Sequence, residues 1–183
     1  MVQASAVSAS DIWGTGIDFD DNSTPNQISH FNGRVWQDVT IARSGDETPR
    51  FDYAASASQV WVDGERTSTP ELEPTLDHWN GKSWEPVAVH APQGVDLLNG
   101  ITPDGHGGLW IEAQDPYTSS SWMLHRSASG AWSSTALPSF ATISQTALVP
   151  GASSLWGAGN VPNGGSDAEI WAYGPIIRTA SKS

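Results

Sequence analysis

Three histidines recur at one spacing: His30, His78 and His125 are 48 and 47 residues apart. An imidazole titrates near neutral pH and ligates metals, so three in series invite a metal centre or a proton relay. Such chemistry requires convergence on one point. Residues that recur once per repeat instead occupy equivalent places in separate units, so each of these imidazoles is expected to be structural, bonding a neighbouring backbone group or packing on a tryptophan. Asp104 and His106, in the stretch DGHGG, form a possible acid/base pair on a loop. A tight turn between two strands accounts for the same residues without chemistry. Asp18, Asp20 and Asn22 stand at positions one, three and five of a calcium-loop pattern, but Ser23 replaces the turn glycine and Ser29 the final bidentate carboxylate. A solvated acidic loop is expected there, and no metal site or cofactor is assigned. Arg43, Arg50 and Arg66, three of eight basic residues, lie in or beside variable segments where they would meet an acidic or hydroxylated ligand. Surface solubility is their plainer role.

Composition removes several functions. Eight Lys and Arg against 20 Asp and Glu give a formal charge of −12, which repels phosphate backbones and anionic lipid, so nucleic acid is not an expected partner. The absence of Cys excludes a disulfide framework, a thiolate metal site and a cysteine nucleophile, and leaves the redox compartment open. No Gly-x-Ser-x-Gly elbow, HExxH helix or phosphate loop occurs, and no catalytic residue is assigned. The opening MVQASAVSAS has neither a basic n-region nor an apolar h-region, and no stretch reaches the roughly 18 apolar residues of a spanning helix, so neither an export signal nor membrane insertion is expected of the chain as written. Low Lys, abundant Ser and Trp, and a sequon at Asn22 lean toward an extracellular or cell-surface bacterial protein.

The elements that carry these residues repeat. SASDIWGTG, SASQVWVDG, PDGHGGLWIEA and VPGASSLWGAG align on Trp13, Trp61, Trp110 and Trp156, spaced 48, 49 and 46 residues. Trp36, Trp84 and Trp132 form a second series, spaced 48 and 48. Three registers sharing one period of 40 to 50 residues, with several short strands per unit, indicate propeller blades. Gly, Pro, Ser and Thr are abundant and ten Trp stand beside four Phe and three Tyr, which favours short strands and turns. The expected fold is an all-β propeller of four four-stranded antiparallel blades, approximately 1–42, 43–91, 92–138 and 139–180. In the second, RFDYAAS is innermost, SQVWVDG next, TLDHWNG third and KSWEPVAV outermost, and Asn80-Gly81, like Asn32-Gly33, is expected to close a type I′ hairpin. In the fourth, Ala172 replaces the histidine, the outer Trp is missing, and the outer strand is expected at Ile176 to Ala180.

The paired patterns SASDIW…HFNGRVW and SASQVW…HWNGKSW resemble the Trp-rich, kelch-like propeller repeats of secreted and cell-surface proteins, notably of actinobacteria, with blades like those of the galactose oxidase central domain. ITPDGHGGLWIEAQD resembles the two-component-regulator propeller repeat and, more distantly, the Asp-box of sialidases. The resemblance covers almost the whole chain and implies a fold. It implies no single activity, because propellers host lectins, hydrolases, lyases and scaffolds alike.

In such an array a large aromatic repeated once per blade fills the wedge between neighbours, so both Trp series are expected to be core. Phe51, Tyr53, Tyr117 and Trp122 fall outside the period and are better candidates for touching a ligand. Binding is expected on the loops joining second to third strands, Asp18 to Asn26, Asp63 to Pro74, Asp115 to Ser121 and Asn160 to Asp167, and on the connection ARSGDETPRFDY. The leading expectation is a non-enzymatic binding or scaffolding module for a protein or glycan. The alternative is a glycan-active lyase or glycosidase using acidic loop residues. With no N-terminal strand available to complete the fourth blade, the four are expected to form an open arc of a larger propeller, or one that a second copy closes.

Overall fold

The structure is a computed structural model that describes residues 3–16, 27–41, 47–66, 73–137, 142–148, 155–160 and 168–173. Among them there is no helix. The strands fall into antiparallel sheets in which each strand pairs with the next in sequence. The first sheet holds β1 (Gln3–Ser8), β2 (Asp11–Gly16), β3 (Gln27–Phe31) and β4 (Trp36–Val39), and the second β5 (Glu47–Ser56), β6 (Gln59–Arg66), β7 (Glu73–Trp79) and β8 (Trp84–Pro86). The third holds β9 (Leu97–Pro103), β10 (Leu109–Asp115), β11 (Ser120–Arg126) and β12 (Trp132–Ala136). β13 (Thr142–Leu148), β14 (Leu155–Asn160) and β15 (Ala168–Tyr173) form the fourth, and the outer strand expected at Ile176 to Ala180 lies outside the described residues.

Meanders of this kind bury both faces only by stacking. The first strands β1, β5, β9 and β13 lie side by side in chain order, and the sheets pack face to face behind them. Side chains alternate across each second strand. Val60 and Val62 of β6 point to the first sheet, joining Trp13, Ile28 and Ala54 in one buried cluster against which Trp79 and Trp84 pack. Trp61, between them, points the other way, into a cluster with Leu98, Ile101, Leu109, Ile111 and Ala113 of the third sheet. Polar bonds reinforce the inner edge: Thr15 Oγ1 donates to the Arg50 carbonyl at 2.9 Å, and Asp63 Oδ2 accepts the Gly100 amide at 3.2 Å. Arg50 and Gly100 lie where the register of β5 and β9 shifts, so a β-bulge turns backbone groups toward the preceding sheet. The Thr102 and Thr146 hydroxyls bond each other between the third and fourth sheets.

The Asn-Gly turns depart from the type I′ expectation. Phe31 pairs with Trp36 and Trp79 with Trp84, leaving four-residue loops. Asn32 Oδ1 accepts the amides of Arg34 and Val35, and Asn80 Oδ1 those of Lys82 and Ser83. Each asparagine therefore keeps a negative φ, and only Gly33 (φ 88°) and Gly81 (φ 92°) take the left-handed conformation. A Cβ on either would come within 2.8 Å of the Cβ of Ser10 or Ser58 in the adjacent turn.

Candidate functional site

The histidines do not converge. Trp13 pairs with His30, Trp61 with His78 and Trp110 with His125 directly across the second and third strands. In each sheet the two rings stack at 4.2 Å between centroids. Each imidazole then donates through Nε2 to a side-chain acceptor of its own sheet: Asp11 at 2.8 Å, Gln59 at 3.0 Å and Asp104 at 2.9 Å. The partner is thus a side chain rather than the expected backbone group. Burial depresses the His78 pKa; the Glu85 charge opposes this and the Arg126 charge adds to it. Arg126 of the third sheet also lies over the Trp61 ring, 4.9 Å from its centroid.

Asp104 and His106 are not an acid/base pair. Asp104 is buried, its Oδ1 accepts the His106 and Gly108 amides at 2.7 Å each, and its Oδ2 takes the His125 bond, while the His106 side chain is exposed. Burial would raise the Asp104 pKa, but the His125 bond, the two amides and the His125 charge outweigh it and hold the carboxyl below its ordinary value. Asp104 is therefore an acceptor that ties the turn to the third strand. The arginines are engaged as well: Arg50 pairs with Glu65 at 2.9 Å and Arg66 with Glu73 at 2.8 Å. Arg43 and the Asp18, Asp20 and Asn22 loop lie outside the described residues, as does most of the Asn160 to Asp167 loop. Tyr53 and Trp122 pack against the core cluster between the second and third sheets, and the Tyr53 hydroxyl is pushed up by burial and by the Asp104 charge. The side chain of Phe51 is outside the described set.

Tyr117 is different. It stands 76 % exposed at the tip of the β10–β11 loop, on a turn held from below by a buried carboxylate. Asp115 Oδ1 accepts the Tyr117 amide at 2.8 Å and the Thr118 amide at 3.0 Å, and Oδ2 accepts the Thr118 hydroxyl at 2.7 Å. The Thr118 bonds and the Tyr117 amide lower the Asp115 pKa despite the opposing effect of burial. Ser119 closes the turn at φ 55°, a left-handed conformation that a non-glycine residue adopts only when its surroundings impose it. The connection from β8 to β9 runs alongside: the Asp96 amide bonds the Gln114 carbonyl at 3.1 Å, and a Cβ on Gly94 would meet Asp115 Oδ2 at 2.7 Å. The loop face thus offers a phenol on a fixed base, beside the hydroxyls of Thr118 and Ser120. Such a group stacks on a flat apolar surface and hydrogen-bonds at its tip, at little entropic cost.

A concavity of about 690 Å³ opens at the outer rim between the second and third sheets, where His90 and Trp132 stack at 6.2 Å beside Ser133 and Ser134. His90 escaped sequence reasoning because it belongs to no period; that aperiodicity was itself the available signal. Among the described residues no group of three His, Asp or Glu side chains is arranged to hold a metal ion.

No protein-family profile and no curated protein matches the chain. Among solved structures, YCF48 bound to a D1 peptide superposes with a TM-score of 0.57 at 14% identity, over 98% of this chain and 54% of that one. The Bombyx mori GH32 β-fructofuranosidase BmSUC1 gives 0.47 at 11% identity, over 89% of this chain and 42% of that one. YCF48 is a propeller protein, and the stacked antiparallel sheets described above are a β-propeller fold. The chain spans about half the length of the structures it matches.

Proposed function

We propose that the four sheets are successive blades, approximately 1–42, 43–91, 92–138 and 139–180, of an open propeller arc built from kelch-like, Trp-rich repeats. On this reading the chain is a non-enzymatic binding or scaffolding module, working outside the cell or at its surface, that engages a protein or glycan through its loop face. The observation that carries it is Tyr117, an exposed aromatic on a turn clamped by Asp115, while His30 with Asp11 and His125 with Asp104 are engaged in internal bonds. That the similar propeller YCF48 holds a peptide agrees with a protein ligand.

The purified chain should be screened on peptide and glycan arrays, and any hit measured for the wild type and Tyr117→Ala. Truncating an exposed anchoring aromatic should weaken binding about tenfold or more, at an unchanged melting temperature. An unaffected Tyr117→Ala variant, or silence on both arrays, overturns the site. Release of new reducing or unsaturated ends from a polysaccharide would establish the enzymatic alternative instead.

A further inference from the structure

The hollow at the outer rim between the second and third sheets differs chemically from the rest of the surface. The chain has 20 Asp and Glu, yet no described carboxylate lines this hollow, whose walls are His90 and Trp132 with Gly130, Ala131, Ser133 and Ser134. We infer that it is a second binding site, for the ring of an uncharged sugar: a pyranose stacked on the Trp132 indole and the His90 imidazole and held at its edge by hydroxyl and guanidinium groups. The site is separate from Tyr117. The Tyr117 loop precedes β11 and the hairpin carrying Gly130 follows it, so the 7 residues of that strand, about 20 Å, lie between them.

His90 and Trp132 are parallel to within 7° at 6.2 Å between centroids, against 4.2 Å in the His–Trp stacks inside the sheets. Parallel rings that far apart are either displaced sideways or separated by a gap, and in both cases part of each apolar face is left uncovered. Such a face accepts the C–H side of a pyranose. Trp132 packs against the core cluster between the two sheets, so the platform is fixed, while His90 is exposed. Small side chains open the space beside them. Counted from the outer Trp, Ser133 and Ser134 stand where β8 has Glu85 and Pro86 and β4 has Gln37 and Asp38. A serine hydroxyl both donates and accepts, as a sugar hydroxyl requires. Arg126 pairs with Trp132 across β11 and β12 and reaches over Trp61, and a Cβ on Gly130 would lie 3.5 Å from its Nη2, so the guanidinium borders the hollow. Unlike Arg50 and Arg66 it forms no salt bridge among the described residues. Its planar fork of N–H donors can span two adjacent hydroxyl oxygens. A lining without carboxylates gives an amine nothing to pair with, and a chain of −12 repels a polyanion, which leaves a neutral hydroxylated ring as the best match. The volume of about 690 Å³ falls within the roughly 300–1,000 Å³ of small-molecule sites.

Cellohexaose, xylohexaose, mannohexaose and chitohexaose should be titrated into the whole chain by calorimetry and by NMR of the imidazole signals, with a polygalacturonate oligomer as the charged comparison. At least one neutral oligosaccharide should bind, shift the His90 signal, and bind more tightly than the charged oligomer. His90→Ala, at an exposed position, should keep the fold by circular dichroism and weaken that binding about tenfold or more. Ser134→Trp, also at an exposed position, should fill the hollow and abolish binding, whereas Tyr117→Ala should leave it unchanged. Binding that survives both His90→Ala and Ser134→Trp, a tighter complex with the charged oligomer, or no complex with any neutral oligosaccharide would each overturn the site. A sugar lost on Tyr117→Ala but retained by His90→Ala would belong to the loop face, upholding the function proposed for Tyr117 and removing the rim site alone.

Discussion

His78 is the residue whose protonation reports on packing. Its folded pKa is depressed, chiefly by burial, so the neutral ring is favoured in the native state. A depressed folded pKa stabilises fully above the unfolded value of about 6.5 and loses that stabilisation as pH falls through the folded value. The melting temperature should therefore decline on acidification from pH 7 to pH 5, and His78→Gln, which keeps a donor for Gln59, should flatten that decline. An identical pH profile in the variant would show that the stack does not titrate with folding. Asp104 follows the same sign at lower pH. With its carboxyl held below the ordinary value, it stabilises above about pH 4 and ceases to as pH falls through its folded pKa. Asp104→Asn should lower stability at pH 7 and steepen less on acidification, a difference that thermal melts at pH 7, 4 and 3 would resolve.

At the level of the element, Trp13 and Trp61 of second strands and Trp84 and Trp132 of fourth strands carry the contact between neighbouring sheets. Trp84 packs into the cluster between the first and second sheets, edge-on to Trp13. Trp84→Ala should cost about 3 kcal/mol, the usual range for deleting a large aromatic from a core. Trp156→Ala, at an exposed position, should change stability to chemical denaturation by less than about 0.5 kcal/mol, as surface substitutions do. Equal losses at the two positions would mean that Trp156 is covered within its own chain. The hairpin turns are the other test. At Gly81 the φ of 92° and the approach of Ser58 leave no room for a side chain, so Gly81→Ala should be destabilising although the residue is exposed.

For the whole molecule, charge sets the conditions under which it associates. A chain carrying −12 repels anionic ligands and attracts cationic ones at long range, and salt screens both effects. Any cationic peptide that the loop face binds should therefore bind more weakly as sodium chloride is raised from 20 to 300 mM, read by titration calorimetry; salt-independent binding would place the contact away from the acidic surface.

The period, the all-β class and the strand order within each sheet were legible in the sequence, because a repeated pattern of Trp, His and turn residues reports local structure and one-residue alternation reports faces. Ala172 in place of the histidine marked the fourth repeat as different in the same way. The sequence could not say that His30, His78 and His125 bond three different acceptors, since Asp11, Gln59 and Asp104 reach them only through strand pairing. Nor could it separate Trp84 from Trp36, which are the same residue in the same register. Trp84 is half-buried because it packs on Trp13 of the first sheet, whereas Trp36, 46 % exposed, meets no further sheet among the described residues. Tyr117 was visible as an aperiodic aromatic among several, and only the fold showed that Tyr53 and Trp122 turn inward to a core while Tyr117 is held out on Asp115. Local pattern specifies an element and its two faces; which face meets water depends on the neighbour that stacking supplies, and that is settled by tertiary structure alone.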